Sequence, residues 1–270
     1  MTDAHCHVTG GDPSVREFLI GRDFIGVHPW ETLLTVPAAS SLRGAVTYAP
    51  SEASSAGGAM RAVGSLANAS QRDTAGTVLT ALRDQILSDP LLGIGEIGLD
   101  RLKDKNISPQ MREVFEAQLK LAFEFNRPVV LHGAKCWGQV VKAIKNYELR
   151  ITNETIGDNS QFAIRNSSFL FHGFSRSDGL IPDIVALNGY ISVGPAVLND
   201  HAVNYRGLVK KIPIDRLLIE TDRTAENAAD CPSIVAVATE VAKLRGMPFA
   251  ELEEITDRNA EAFICYNIRE

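Results

Sequence analysis

Four histidines and two acidic residues stand where this chain could build a metal site. His5 and His7 come first, in the sequence DAHCH. In an extended strand alternate side chains point to one face, so these two imidazoles project side by side. Four later apolar segments each finish near a residue of a metal-binding type, namely Glu96, His132, His172 and Asp222. A single histidine of this kind is more often a hydrogen-bonded core residue, and only the repetition of the pattern favours a metal site.

The chemistry of these six side chains is that of divalent metal ions. Imidazole nitrogen favours Zn²⁺, Mn²⁺ or Fe²⁺, and carboxylate oxygen also suits Mg²⁺. One catalytic zinc needs fewer ligands, whereas two ions about 3.5 to 4 Å apart that share a carboxylate would use all six. Glu96 is the candidate for the shared ligand, and Asp222 is the candidate to bind an ion and accept a proton from water. Such a centre would direct water against a phosphoryl or carbonyl group.

The segment GIGEIGLD, residues 93–100, places Glu96 and Asp100 in a run that has no other charge. Its glycines leave room close to the backbone. An unpaired carboxylate among core residues costs free energy, so a metal ion or a basic side chain is expected beside each of the two.

The spacing of the candidates indicates the elements that position them. The intervals 96–132, 132–172 and 172–222 are 36, 40 and 50 residues, about one strand-plus-helix unit or slightly more. Such repetition predicts a parallel sheet, and a ring of strands lets residues of the first and last strands meet. The C-terminal ends of barrel strands gather on one face, where all the candidates would converge. The sequence therefore predicts an α/β barrel with a metal centre at that face.

Besides the opening strand, strand patterns cover residues 24–28, 91–100, 128–132, 168–172, 189–195 and 216–222. Helical patterns cover residues 74–88, 108–125, 137–147, 178–187, 205–211 and three segments after residue 232. Residues 14–20 are ambiguous between helix and strand. Residues 31–70 contain a candidate strand at 44–49 and otherwise suit a disordered insertion or a mobile loop over the site. His28, which ends the pattern at 24–28, is a second-rank site candidate.

Composition limits the class of protein. The chain has 270 residues, 45% of them hydrophobic and 22% charged, which predicts a single globular domain over residues 1–270. The net charge of −6 argues against a broad basic surface for DNA, so a nucleic-acid substrate would be held locally by metal and a few cations. Four scattered cysteines predict reduced thiols. Without a signal-peptide pattern or an apolar run near the ~20 residues that span a bilayer, no membrane contact and a cytoplasmic or nuclear location are expected.

Six motifs, in this order, resemble signatures of the TatD family of metal-dependent deoxyribonucleases: DAHCH, GVHP, GEIGLD, VVLH, HGF and LLIETD. The ending IT-x-x-NAEAF is also similar to that family. The resemblance implies a distorted (β/α)8 TIM barrel of the amidohydrolase type, two divalent metal ions and hydrolysis of phosphodiester bonds in DNA. It implies metal-ligand roles for the six candidates, with Glu96 bridging and Asp222 as base, and a substrate-side role for His28. Only 20 residues lie between His7 and His28, so the second barrel strand is expected to be shortened or missing, unless 44–49 supplies it.

Other departures from the family pattern concern the substrate. Ala134 stands where an arginine is common, HGFSR replaces the usual HCFTG, and Arg223 follows ETD where a small residue is common. Lys135 and Arg176 are therefore candidate substrate-binding cations for a phosphate, with Arg101 and Arg223 as further candidates.

Three functions follow from these features. The leading hypothesis is a metal-dependent phosphodiesterase acting on DNA ends or short single strands. The altered residues Ala134 and Arg223 leave open a hydrolase of a small ester, lactone or amide, although Glu96 in place of a bridging modified lysine argues mildly against it. The shortened N-terminal region leaves open a barrel that has lost activity and serves as a binding or scaffold protein.

Overall fold

The computed structural model describes residues 1–29, 74–102, 105–154 and 167–265. The strands in these ranges are β1 (Thr2–Cys6), β2 (Arg16–Leu19), β3 (Phe24–Ile25), β4 (Gly93–Asp100), β5 (Val129–Ala134), β6 (Phe169–Phe171), β7 (Gly189–Val193) and β8 (Leu217–Ile219). The α-helices are α1 (Thr74–Ser88), α2 (Pro109–Glu124), α3 (Trp137–Glu154), α4 (Ile181–Ala186), α5 (Val203–Val209), α6 (Ile234–Arg245) and α7 (Phe249–Cys265). Short 3-10 turns lie at Asp178–Leu180, Pro195–Leu198 and Ile214–Arg216.

All strand pairs are parallel, and neighbours in space are neighbours in sequence. Strands β3 to β8 form one six-stranded sheet, and β1 with β2 forms a separate pair. An isolated bridge between Ile20 and Phe24 links the pair to β3. On the other side, the Asp222 N–H donates to the His5 carbonyl at 3.0 Å, and the His7 N–H donates to the Arg223 carbonyl at 2.7 Å. The predicted distorted TIM barrel is confirmed, with a seam between β1 and the end of β8 where irregular backbone hydrogen bonds replace a regular ladder.

The second barrel unit is shortened, as the spacing of His7 and His28 predicts. Strand β2 follows β1 after residues 7–15 without a helix, and β3 follows β2 after residues 20–23. Residues 14–20, ambiguous in the sequence, thus contain a strand, Arg16–Leu19. The alternative strand at 44–49 and the predicted loop or insertion at 31–70 lie outside the described residues.

The predicted strand through His28 is wrong in its length. Strand β3 ends at Ile25, because the backbone of Val27 pairs with a side chain instead of a neighbouring strand. Gln118, buried on α2, accepts from the Val27 N–H at 2.6 Å and donates to the Val27 carbonyl at 3.1 Å. This pairing turns the chain out of the sheet and carries His28 over the carboxyl ends of the strands.

The remaining elements occur where the sequence predicts them, with shifted ends. The predicted helix at 178–187 is a 3-10 turn followed by α4, and α5 begins at Val203 instead of 205. The last two helical patterns join into α7, since no proline or glycine interrupts residues 249–265. Strand β8 stops at Ile219, so Asp222 lies three residues beyond the strand.

Alternation along the strands divides the core in two. Val129 and Leu131 of β5 belong to the larger cluster between sheet and helices, whereas Val130 joins a second cluster with Leu170 and Leu218. Phe263 of α7 completes this second cluster. Apolar packing therefore fills the barrel below the carboxyl ends of the strands, which stay available for polar groups.

Cys6, Cys136 and Cys231 are free thiols. Across the ranges that the structure describes, no helix is both long enough and apolar enough to cross a bilayer. The single domain over 1–270 and the cytoplasmic location stay predictions.

Candidate metal centre

All six predicted metal ligands meet at the carboxyl ends of the strands. Their nitrogen and oxygen atoms form clusters within 4.8 Å: His5 with His7 and Asp222, His5 with Glu96 and His172, and His28 with Glu96 and His132. We call His5, His7 and Asp222 the first ligand group, and His132 and His172 the second ligand group; Glu96 lies between the two groups.

The first ligand group has the spacing of side chains around an ion instead of direct hydrogen bonds. Asp222 Oδ1 lies 3.5 Å from His5 Nε2 and 3.7 Å from His7 Nε2. Glu96 Oε2 lies 3.6 Å from His5 Nε2 and 3.5 Å from His7 Nε2. Both ring nitrogens of His5 are buried without a hydrogen-bond partner among the described residues. Because an unpaired buried imidazole costs free energy, these residues fit a divalent ion that takes Nε2 as ligand.

The second ligand group contacts the other oxygen of Glu96. Glu96 Oε1 lies 2.6 Å from His132 Nδ1, 2.6 Å from His172 Nε2 and 3.4 Å from His28 Nε2. One carboxylate thus presents Oε2 to the first ligand group and Oε1 to the second. A carboxylate in this position could be shared between two ions.

Strand β4 brings Glu96 to this position through close backbone contact with β5. The ladder between the two strands shifts register between Ile94 and Ile97, around Glu96. Gly98 has φ +153°, and a Cβ there would lie 1.9 Å from the His132 carbonyl oxygen. Only glycine fits this approach, which explains one glycine of the GEIGLD motif.

Asp100, which the sequence singled out only as a charge in a buried strand, supports His132. Its Oδ2 lies 2.7 Å from His132 Nε2, and its Oδ1 accepts from the Leu102 N–H at 2.6 Å. The contact fixes the imidazole so that Nδ1 faces Glu96. Carboxylates commonly orient ligating histidines in this way.

Two further buried carboxylates were not recognised from the sequence. Glu220 accepts from the Gly173 N–H at 2.8 Å and the Ser192 hydroxyl at 2.5 Å, and lies 3.9 Å from His172 Nδ1. Asp3 accepts from the backbone and side chain of Thr221. The available signal was an acidic residue two positions before a predicted ligand, Asp3 before His5 in DAHCH and Glu220 before Asp222 in LLIETD.

The two imidazoles that stack at 4.0 Å, His5 and His172, have opposite charge preferences. Burial and the nearby charge of His172 lower the pKa of His5 to about 4, so His5 is neutral and ready to bind metal. Burial disfavours charge on His172, but the carboxylate of Glu96 outweighs it and raises the pKa of His172 to about 10. Against its own burial, Glu96 has its pKa held well below the usual range by His172 and by hydrogen bonds from His132. Without metal, Glu96 and His172 thus form an ion pair.

The other carboxylates differ according to their partners. Burial raises the pKa of Glu220 to about 7, with His172 opposing the shift. Burial raises the pKa of Asp3 to about 6, despite the hydrogen bonds from Thr221. Asp222 is also penalised by burial, but His5 lowers its pKa, so Asp222 stays ionised.

A cleft of about 660 Å³ opens beside Asp222, a size typical of ligand sites. Arg176, His201, Tyr205 and Asn227 contribute to its walls. Arg176 is an exposed residue of this wall, with a positive φ of 56°.

The other candidate cations lie elsewhere. Lys135 is exposed just after β5 and is not part of the cleft wall. Arg101 donates to the Lys105 carbonyl at 2.7 Å, and Arg223 donates to the Ala228 carbonyl at 2.7 Å and the Cys231 carbonyl at 3.2 Å. These two arginines brace loops.

Known proteins share this architecture. The family model described as TatD related DNase matches residues 2–264. The uncharacterized metal-dependent hydrolase YabD of Bacillus subtilis strain 168 is 31% identical over 196 residues, 70% of this chain and 71% of YabD. The crystal structure of YjjV, a TatD homologue from Escherichia coli K12, aligns with 25% identity and a TM-score of 0.54 over 70% of each chain. The 3'-5' ssDNA/RNA exonuclease TatD of Edwardsiella piscicida is 25% identical over 142 residues, 52% of this chain and 49% of that enzyme.

A parallel barrel with histidines and carboxylates gathered at one end is the architecture of a metal-dependent hydrolase. The chain belongs to the TatD family of these hydrolases. The resemblance drawn from the six motifs is confirmed.

Proposed function

We propose that this protein is a divalent-metal-dependent phosphodiesterase of the TatD deoxyribonuclease type that cleaves DNA. The observation that carries the proposal is Glu96, whose two oxygens face two separate ligand groups. Paired metal sites of this kind serve in-line displacement at phosphate, since one ion can stabilise the attacking oxygen and the other the leaving oxygen. The name of the Edwardsiella piscicida relative, an ssDNA/RNA exonuclease that aligns along 49% of its length, supports a nucleic-acid substrate.

The ligand roles follow from the two groups. His5, His7 and Asp222 would hold one ion, His132 and His172 the other, with Glu96 shared. Zn²⁺, Mn²⁺ and Mg²⁺ suit this mixture of nitrogen and oxygen ligands. Divalent ions held there would supply a water of lowered pKa and neutralise charge that develops on the phosphate.

The protein's own groups would handle proton and substrate. Asp222 is ionised, its side chain is 47% exposed, and it faces the cleft, so it can accept a proton from the attacking water. His28, whose side chain is 22% exposed, stands on the substrate side of Glu96. Arg176 at the cleft and Lys135 after β5 would bind phosphates, because the net charge of −6 leaves DNA to be held by a few local cations.

The test is cleavage of single-stranded DNA oligonucleotides by protein reconstituted with Mn²⁺, Zn²⁺ or Mg²⁺. We expect metal-dependent cleavage that Asp222→Asn slows about 10² to 10⁴-fold, whereas Asp84→Asn on the exposed face of α1 leaves it intact. Elemental analysis of the same samples makes a negative result decisive. Two ions bound without any cleavage would refute the proposal.

A small ester, lactone or amide is the alternative substrate. Ala134 and Arg223 favour it, since each replaces a residue common at the family's substrate side, and Arg223 here braces a loop. Hydrolysis of carbonyl esters with a higher kcat/KM than phosphodiesters would establish this alternative. A scaffold protein without activity would instead bind neither zinc nor manganese tightly, which the intact ligand set disfavours.

A further inference from the structure

The two ligand groups depend on different parts of the sheet. Glu96 and His132 lie on adjacent strands of one ladder, and His172 follows β6 beside them. His5 instead lies on β1 of the separate β1–β2 pair and His7 directly follows it, while Asp222 follows β8. The geometry of the first ligand group therefore depends on what holds β1 against the end of β8.

Asp3 is the side chain that crosses this seam beside the ligands. Its Oδ1 accepts from the Thr221 N–H at 2.9 Å and from the His5 N–H at 3.4 Å. Its Oδ2 accepts from the Thr221 hydroxyl at 2.6 Å. Thr221 directly precedes Asp222, and Asp3 stands two residues before His5. One carboxylate thus ties the backbone next to a ligand on each side of the seam.

The burial of Asp3 argues that this contact is specific. Asp3 is 3% exposed, and burying a carboxylate costs free energy unless donors compensate. Its three donors all belong to the two segments that carry His5 and Asp222. A hydrophobic side chain would fill the same space without fixing the register of these segments.

We propose that Asp3 is a positioning residue that aligns His5 and His7 with Asp222 across the seam, and so sets the affinity of the first ligand group for its ion. Asp3 acts through the backbone of Thr221 and His5 and does not contact the ion. This inference rests on the metal binding in the proposed function.

The experiment is a calorimetric titration of metal-free protein with Zn²⁺. For Asp3→Ala we expect the affinity of the first ligand group for Zn²⁺ to fall about 10- to 100-fold, which is the usual effect of losing a residue that orients a metal ligand. The affinity of the second ligand group should change by less than about threefold. Asp3→Asn keeps an acceptor for the Thr221 N–H and should lose less. The higher-affinity site that remains in Asp3→Ala should have the same affinity for Zn²⁺ as the one that remains in His7→Ala, in which the second ligand group is intact.

Glu17→Ala is the matched control. Glu17 pairs with Asp3 in the β1–β2 ladder, and its side chain accepts from the Gly10 N–H at 2.5 Å. We expect wild-type affinities at both groups. Thermal unfolding of each metal-free variant separates positioning from bulk stability, since a merely structural role would lower the unfolding midpoint and weaken both groups together.

Thr221→Val provides an independent route, because it removes the hydroxyl donor and leaves Asp3 in place. If the two residues act through the same contact, the double variant Asp3→Ala with Thr221→Val should lower the metal affinity of the first ligand group no further than Asp3→Ala alone. Additive losses of affinity would overturn the proposal. Should Asp3→Ala fail to fold, Asp3→Asn and Thr221→Val decide the outcome by the same selective loss. Wild-type protein that binds no ion would refute the proposed function. Two ions bound equally well by wild type and Asp3→Ala, or equal loss at both groups, would refute only the role of Asp3.

Discussion

The second ligand group lies within one continuous sheet, whereas the first straddles a seam between two sheets. In the second group, His172 is 9% and His132 13% exposed, beside Glu96 at 3%. In the first group, His5 is fully buried, but His7 is 34% and Asp222 47% exposed, and Asp222 borders the cleft. The comparison indicates an enclosed half beside the shared carboxylate and a half that is open to the cleft.

The two groups also differ in protonation before metal binds. Glu96 forms an ion pair with His172 of the second group, while His5 in the first is kept neutral by burial. An ion that enters the second group must displace a proton, and one that enters the first meets a ligand already deprotonated. Each of the following predictions tests one side of this contrast.

Glu96→Gln should have the largest effect because Glu96 serves both groups. A neutral amide is a poor ligand for two ions at once, so we expect the affinity for both ions to fall and kcat/KM to fall by at least about a thousandfold. Steady-state kinetics and metal content measure the two effects. Glu113→Gln, which changes an exposed carboxylate on α2, should alter neither quantity. Retention of both ions by Glu96→Gln would show that Glu96 does not bridge them.

Asp222→Asn should affect the open half alone. Loss of the proposed base lowers kcat by about 10² to 10⁴-fold. We expect the second group to bind its ion with unchanged affinity, as measured by calorimetry. Asp215→Asn, whose side chain is 74% exposed, is the control. Equal weakening of both groups would contradict the separation between them.

Asp100→Asn should affect the enclosed half, as the counterpart of Asp3. Loosening His132 is expected to weaken the second group about 10- to 100-fold and spare the first. The titration used for Asp3 also measures this change. A fall in the metal affinity of the first group would show that Asp3 and Asp100 do not each support one group alone.

Proton release separates the two groups by pH. Because the pKa of His172 is raised from 6.5 to about 10 and the pKa of His132 is also raised, ion binding at the second group at pH 7 should release at least one proton. Calorimetry in buffers of different ionisation enthalpy measures the release, with His7→Ala isolating the second group. Release of no proton there would contradict the ion pair. In the metal-free protein the raised pKa adds stability that is complete below pH 6.5 and lost as pH rises through about 10.

The smallest effect is expected at the substrate cations. Arg176→Gly removes an exposed charge from the cleft wall, and KM should rise about two- to fivefold with kcat unchanged. Lys135→Gly is the matched variant, since Lys135 is also exposed with φ 56° but lies outside the cleft wall. Glycine tolerates this backbone conformation, so neither variant should lose thermal stability. A larger KM change for Lys135→Gly would place the substrate on the other side of the centre.

The convergence of the six candidate ligands could be predicted from the sequence because their signal is local. A metal-binding residue after an apolar strand can be read from a few neighbouring residues, and parallel strands bring such residues to one face. This covers His5, His7, Glu96, His132, His172 and Asp222, which the structure brings together. Strand and helix ends were less predictable, as His28 shows: its place depends on Gln118, which lies 91 residues from Val27.

Only the tertiary structure divided the ligands into two groups and placed a seam through one of them. The division depends on which oxygen of Glu96 faces which histidine, and the seam on where regular pairing of β1 stops. The support from Asp3 joins residues 218 positions apart in the chain. No pattern within either segment specifies such a contact, because it arises only when the first and last strands of the barrel pack together.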